Sequence, residues 1–117
     1  MNITDIATAF SNGAFAATYP YLSDQVVWIV VGEKTYAGKT AVTKQCEQVQ
    51  IYFESVQTDF KTIQIITEAH KVVISGTAAF SKEGQLISFI SACDIYEFNA
   101  RQQLEKITSY CIPEKGI

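Results

Sequence analysis

An acidic residue lies inside one of the most apolar stretches of the chain. The segment from Leu86 to Phe98 reads LISFISACDIYEF, and Asp94 is its first acid. Burying an ionised carboxylate without partners is very costly, so such a group pairs, accepts hydrogen bonds, or stays protonated with a raised pKa. Asp94 could act as acid, base or ligand anchor, or it could only brace the fold. Because alternate residues of a strand point to opposite faces, its position in the strand predicts that it faces a cavity.

Tyrosines are the second group that could do chemistry. The chain has six of them, and Tyr96 shares a strand face with Asp94, whereas Tyr52 lies beside the apolar stripe of a predicted helix. A Tyr–Asp pair can donate hydrogen bonds to a carbonyl or enolate oxygen. Buried tyrosines also commonly do no more than satisfy their own hydroxyl, so both interpretations stay open.

The remaining reactive residues indicate no metal and no cofactor. Cys46, Cys93 and Cys111 are widely spaced, which is untypical of metal ligands and favours reduced thiols in a cytoplasmic protein. The single histidine, His70, lies at a predicted turn. Gly38-Lys39-Thr40 resembles the end of a P-loop, but the upstream glycine that this motif requires is absent.

Composition excludes several classes of partner. The 117 residues carry a net charge of −3, and the positive residues are scattered rather than clustered. We therefore expect no nucleic-acid partner and no binding to an anionic membrane surface. The start of the chain, MNITDIATAF, lacks the basic and apolar regions of a secretory signal, which also favours a cytoplasmic location.

The spacing at which apolar residues recur changes once along the chain. Up to residue 56 it is mostly helical, which predicts a helix at 3–22 broken at 11–13 and a longer helix at about 39–56. The β-branched run Gln25–Val31 predicts a strand between them, and the segment after it allows a short second strand. Beyond residue 59 the period is two, which predicts four antiparallel strands: Phe60–Ala69, Lys71–Phe80, Gln85–Phe98 and Gln103–Ile112. This order predicts an α+β fold with the helices on one sheet face.

Both faces of the strand Gln85–Phe98 are largely apolar. A sheet covered on one side only alternates apolar with polar residues. One face of this strand must meet the helices, and no helix remains to cover the other. We therefore predict a homodimer through the outer sheet face, with Cys93 and Ile95 in the interface.

The order of elements resembles a known family. Ser23–Trp28 with Gly32, then Tyr36–Val42, Asp94–Asn99 and Leu104–Ile107, are similar to the nuclear transport factor 2-like superfamily, nearest its SnoaL-like and ketosteroid-isomerase-like branch. The resemblance covers essentially the whole chain as a single SnoaL-like domain, 1–117. It implies a cone: a strongly curved, mostly antiparallel sheet wrapped around a long helix, with two short N-terminal helices and an apolar cavity open at one end.

The resemblance also implies positions for an acid–base site. Ketosteroid isomerase combines an aspartate base with an oxyanion hole made by a tyrosine and a protonated aspartate. The protonated aspartate falls on Asp94, whereas the base falls on Ile29 and the tyrosine on Ile6. Two of the three positions are therefore aliphatic, and that constellation is not supported.

These considerations leave two classes of function open. The first is a protein that encloses a small, mostly apolar ligand, with Asp94 as the catalytic residue if it is an isomerase or cyclase. The ligand-binding residues predicted for it are Ile29, Tyr52, Phe53, Tyr96 and Phe98. Because alternate residues of a strand point to opposite faces, Ile29 in the cavity would leave Trp28 to core packing or the rim. The second class is a non-catalytic association module whose cavity is filled by its own side chains.

Overall fold

The computed structural model describes residues 1–116, so Ile117, the last residue of the predicted domain, lies outside the described part. The elements follow the predicted order and confirm the α+β fold class. Three helices precede or interrupt the strands: α1 at Ile3–Ser11, a 3₁₀ helix at Phe15–Tyr21 and α2 at Lys39–Ser55. The strands are β1 (Leu22–Val30), β2 (Lys34–Ala37), β3 (Gln57–Glu68), β4 (Lys71–Lys82), β5 (Gln85–Phe98) and β6 (Leu104–Pro113).

Local sequence explains where α1 begins and ends. The Asn2 side chain accepts a hydrogen bond from the Asp5 backbone N–H at 2.8 Å, and Asp5 accepts one from the Asn2 backbone N–H at 3.2 Å. This reciprocal capping box satisfies two N–H groups that the helix itself leaves without a partner. Gly13 follows the helix with φ +81°, a left-handed conformation that glycine adopts without a steric penalty.

The six strands form one sheet in the order β2-β1-β6-β5-β4-β3. Neighbouring strands run antiparallel except β1 and β6, which are parallel. Strands β3 to β6 make the predicted meander, and β1 then adds to its far edge. This parallel pair joins the N-terminal half of the chain to its C-terminal strand, so the sheet is complete only when both ends of the chain are in place.

The sheet is strongly curled because its register shifts at several points. One extra residue, Ile63, separates the pairs Thr62–Gly76 and Gln64–Ser75 between β3 and β4. Gly76 sits at this bulge, and a Cβ atom there would lie 2.4 Å from the backbone oxygen of Lys61. Bulges bend and twist a strand, and the missing side chain of Gly76 allows the close approach that this bend requires.

The core lies between the helices and the concave face of the sheet. Val42 and Cys46 of α2 and Ile6 of α1 are buried there, in agreement with the predicted apolar stripe of each helix. Phe98 and Leu104, which pair across β5 and β6, are buried in the same cluster. None of the helices within residues 1–116 has the length and apolarity needed to cross a membrane.

The contact at Gly76 leads to a test of the curl. We expect Gly76→Ala to lower the free energy of unfolding by about 1–3 kcal/mol, because the added methyl group must displace the β3 backbone. Ser75→Ala, one residue earlier on β4, is the matched control and should change stability little. Chemical denaturation of the three proteins measures the difference. Equal stability of Gly76→Ala and the unaltered protein would show that the close approach does not constrain the sheet.

Candidate functional site

A cavity of about 490 Å³ lies between the concave face of the sheet and the helices. Every strand contributes to its wall, as do α1, the 3₁₀ helix and α2. A small-molecule site in proteins typically has a volume of roughly 300–1,000 Å³ and a mostly apolar lining. The cavity therefore has the size and position of a ligand site, and it is not collapsed around its own side chains.

Aromatic rings make up much of the wall. Phe10 packs edge-to-face against Phe15 at 4.9 Å and Trp28 at 5.1 Å between ring centroids. A second group surrounds Phe53, whose ring lies 5.2 Å from Phe60 and 5.7 Å from Phe80. Such ring pairs are mutually stabilising, so these walls hold their shape around the space they enclose.

Asp94 lies on this wall, where its strand parity predicted it. The β5 residues Ser88, Ile90, Ala92, Asp94 and Tyr96 all line the cavity, as alternation along one strand requires. Asp94 is paired across the sheet with Ile74 of β4 on one side and Ser109 of β6 on the other. Its carboxyl group therefore has an aliphatic neighbour on one strand and a hydroxyl on the next.

Two hydroxyls partly offset the burial of this carboxyl group. Burial raises the pKa of Asp94 above its ordinary value, while hydrogen bonds from Ser109 and Tyr96 lower it in part. Ser109 is itself buried, and its Oγ accepts a hydrogen bond from Trp28 Nε1–H at 2.9 Å. The polar side chains of the site therefore connect three strands, β1, β6 and β5.

Tyr96 is a fixed hydrogen-bond donor rather than an acid. Its side chain is fully buried, and burial followed by the nearby charge of Asp94 raises its pKa well above the ordinary value. A hydrogen bond with Ser11 at the end of α1 opposes that shift. Tyr96 therefore keeps its proton at neutral pH and directs it to Asp94.

The cysteines have no features of a nucleophile. All three are free thiols. Burial raises the pKa of Cys46 to about 12, and burial with the charges of Asp94 and Glu33 raises that of Cys111 to about 11. Cys93 alternates to the outer face, as predicted. Because the thiolate is the reactive form, Cys46 and Cys111 are held in their inert state. Within residues 1–116, no group of three or more His, Cys, Asp or Glu side chains could hold a metal ion.

The structure brings together three of the five predicted ligand-binding residues. Tyr52, Phe53 and Tyr96 line the cavity. The predicted placement of Ile29 is wrong: Trp28 lines the cavity instead, so Ile29 points to the opposite face. The inward position of Trp28 satisfies its indole N–H through Ser109 and packs its ring on Phe10, which is a better use of a large aromatic group than the rim.

Phe98 is also misplaced in the prediction. It shares the inward parity of Asp94 and Tyr96, but it is buried in the core beside Leu104 and does not reach the cavity. Ile6, which takes the position of the isomerase tyrosine, is likewise buried in the core. His70 is an exposed turn residue, as predicted.

Sequence reasoning missed Ser109 and Glu33. A regular hairpin across Asn99 and Gln103 would place Thr108 opposite Asp94. One extra residue in β6, between Leu104 and Lys106, shifts the register so that Ser109 takes that place. Glu33, on the turn between β1 and β2, lines the cavity as a second carboxylate. No local pattern announces either residue.

The comparisons with known proteins agree with this geometry. A protein of unknown function from Cytophaga hutchinsonii, described as NTF2-like, is 31% identical, with a TM-score of 0.82 over 92% of this chain and 94% of that one. The chain belongs to the nuclear transport factor 2-like superfamily, as its element order predicted. No family model matches the chain, and no curated protein matches it.

More distant structures share the fold alone. A candidate SnoaL-like polyketide cyclase from Jannaschia sp. is 9% identical, with a TM-score of 0.72 over 93% of this chain and 84% of that one. An LEH-like epoxide hydrolase from M. tuberculosis is 17% identical, with a TM-score of 0.66 over 90% of this chain and 75% of that one. Proteins of different chemistry therefore use this cone-shaped scaffold.

The raised pKa of Asp94 predicts a dependence of stability on pH. A protonated Asp94 is favoured in the folded chain, so its contribution to stability is complete below pH of about 4, the unfolded value. The contribution is lost as pH rises through the higher folded-state pKa. Asp94→Asn cannot ionise, so the stability of the unaltered protein relative to this variant should fall as pH increases.

Chemical denaturation across pH 3 to 8 measures this difference, with the exposed Asp24→Asn as control. The control should not reproduce the trend. If the unaltered protein instead became more stable relative to Asp94→Asn as pH rises, the placement of Asp94 in a desolvated site would be contradicted.

Proposed function

We propose that this protein encloses a small, mostly apolar ligand in its cone cavity and anchors it through Asp94. The observation that carries the proposal is the position of Asp94 on the wall of a cavity of about 490 Å³ that is otherwise largely aromatic and aliphatic. An apolar ligand gains from leaving water, and a few polar groups then set its orientation. A ligand with one oxygen acceptor on an apolar body matches that wall.

The enzymatic version of this proposal is an isomerase or cyclase that acts beside a carbonyl group. Asp94 in its protonated form donates to the carbonyl oxygen and stabilises the negative charge that develops when a proton leaves the neighbouring carbon. A base must accept that proton, and Glu33 is the other carboxylate on the described cavity wall. Ile29 and Ile6 stand where ketosteroid isomerase has polar groups, so the reaction would not use that constellation.

A ligand screen tests the binding proposal directly. We expect uncharged aromatic ketones such as 2-acetylnaphthalene to raise the melting temperature and to change the fluorescence of Trp28, the only tryptophan. Ala92→Phe places a ring in the cavity beside Asp94 and should abolish both responses because it occupies the ligand's space. Ala100→Phe adds the same ring at an exposed turn and is the matched control.

The two variants separate specific binding from surface adsorption. A response that survives Ala92→Phe, or that Ala100→Phe also removes, would contradict binding in the cavity. No response to any ketone of suitable size would count against this ligand class and against the carbonyl chemistry with it. Proton exchange at the carbon beside the ketone, followed by NMR in deuterated buffer, then distinguishes an enzyme from a binding protein.

The alternative is an association module, and the outer sheet face supports it. Ile66, Val73 and Ile95 pair in succession across β3, β4 and β5 on the convex side. Beside them runs a row of alternating charge, formed by Glu68, Lys71, Glu97 and Lys106.

A second copy of the chain is the occupant that this face fits. A two-fold axis through the centre of the charged row reverses its order and places a positive residue opposite each negative one. The apolar residues of the two copies then cover each other, which removes an exposed apolar surface from water. We propose a homodimer through this face; it is compatible with a ligand in the cavity on the concave side.

Light scattering tests the dimer. We expect the protein to have twice the mass of one chain, and Ile66→Lys and Ile112→Lys to shift it to the monomer because a buried unpaired charge is costly. Both side chains are exposed in the single chain, at 56% and 68%. Ile51→Lys, at a 62% exposed position on α2, is the control and should remain dimeric. A monomer mass for the unaltered protein would contradict the proposal.

A cytoplasmic location is part of the same proposal. Its support is the three free thiols, which are typical of a reducing compartment.

A further inference from the structure

Three polar side chains of the cavity follow one another in a fixed order across neighbouring strands. Trp28 Nε1–H donates to Ser109 Oγ at 2.9 Å, a bond between side chains that lie 81 residues apart in the sequence. Ser109 is paired directly opposite Asp94 on the neighbouring strand. Trp28, Ser109 and Asp94 all line the same cavity. The three side chains therefore form one row across β1, β6 and β5.

The chemistry of each side chain determines which one donates and which one accepts along this row. An indole N–H can only donate, so Ser109 must accept from Trp28. A serine hydroxyl has a single proton, and this proton is then free for Asp94. Tyr96 supplies the second proton from the same strand, and Ser11 is its partner on the far side. A carboxylate can accept about four hydrogen bonds, so Asp94 keeps acceptor sites for a ligand after it has accepted from Ser109 and Tyr96.

We propose that Trp28 and Ser109 are positioning residues. They hold the Asp94 carboxyl group in one orientation, with a free oxygen lone pair turned to the cavity. The inference rests on the proposed function, since it explains how Asp94 would meet a ligand. It adds two residues to the site that local sequence patterns do not identify.

The arrangement makes the ligand preference depend on one proton. When Asp94 is protonated, its two fixed donors occupy acceptor sites of the carboxyl group, and its own O–H points to the ligand as a donor for a carbonyl oxygen. When Asp94 is ionised, the same position becomes an acceptor for a ligand hydroxyl or amine. The change occurs above the ordinary range for aspartate because burial raises the pKa of Asp94.

Titratable groups from several elements line the cavity with Asp94, including Lys61 of β3, Tyr36 of β2 and Tyr52 of α2. Tyr96 stands on its own strand, Cys111 on β6, and Glu33 on the turn between β1 and β2, where it shares the neighbourhood of Cys111. On β4, the residue opposite Asp94 is Ile74, which carries no charge. On α1, the residue beside this group is Ser11, the partner of Tyr96. Burial raises the pKa of Tyr96 and of Cys111, so both keep their protons across the neutral range.

NMR titration of the ligand-free protein tests the row. Carbon-13 labelling of the aspartate carboxyl groups follows all four aspartates, and Asp94→Asn assigns the signal of Asp94. Ser109→Ala removes one donor to the ionised form and should shift the Asp94 titration to higher pH. Trp28→Phe keeps an aromatic ring but frees the Ser109 hydroxyl to rotate, so it should produce a smaller shift in the same direction.

Two controls isolate the hydroxyl. Ser109→Thr retains the donor and should keep the titration close to that of the unaltered protein. Thr108→Ala removes a hydroxyl from the adjacent residue, which alternates to the other face of β6, and should have no effect. A second readout is Trp28 fluorescence, which should follow the Asp94 titration in the unaltered protein and lose that dependence in Ser109→Ala.

Two results would overturn the proposal. One is an Asp94 titration unchanged by both Ser109→Ala and Trp28→Phe, and the other is an equal shift in Thr108→Ala. Because the titration uses no ligand, failure of the row would leave the ketone screen unaffected. A negative ketone screen would equally leave the measured titration of Asp94 standing.

Discussion

The curl of the sheet is the constraint on which the cavity depends. A flat sheet would lie against α2 and let side chains fill the space between them. Instead the bulge opposite Gly76 and the register shift in β6 bend the strands away from the helix. Unfilled volume lowers the stability of a core, so a chain of this length that keeps about 490 Å³ open gives up stability for it. That cost is the physical reason to connect the cavity with function.

The polar chemistry of the cavity depends on the same curl. Asp94 meets Ser109 only because β6 carries one extra residue near the turn, and Trp28 reaches Ser109 only because β1 adds parallel to β6. The carboxyl group thus obtains two hydroxyl partners in a place where an isolated charge would be very unfavourable. A single ionisable group held this way can serve as donor or acceptor, and its protonation state decides which.

Membership of the nuclear transport factor 2-like superfamily limits the architecture but not the reaction. The solved structures that share the fold include a candidate cyclase and an epoxide hydrolase, which differ in chemistry. Function in such a family follows from the groups on the cavity wall. Here those groups are one partly buried acid with two hydroxyl partners, a second carboxylate at the turn after β1, Lys61 of β3, and a largely aromatic lining.

Much of this architecture could be predicted from local patterns. The change of apolar period from helical to alternating identified the element order, and the parity of the strand Gln85–Phe98 placed Asp94 inside and Cys93 outside. These predictions succeed because side-chain direction follows from backbone geometry alone. The predicted cavity position of Ile29 was wrong, since nothing local says which face of β1 the sheet turns inward; Trp28 packs in the core, as predicted, and also lines the cavity.

The sequence by itself determined that a carboxylate would lie on an apolar strand face and would need partners. Only the tertiary structure decided which partners it has. Its partner Ser109 comes from β6, while Trp28 of β1 bonds to Ser109 and Ser11 of α1 bonds to the second partner, Tyr96. This arrangement depends on a one-residue register shift and a parallel strand pair. Bulges and strand order arise from the packing of the whole sheet, and no periodicity along the chain encodes them.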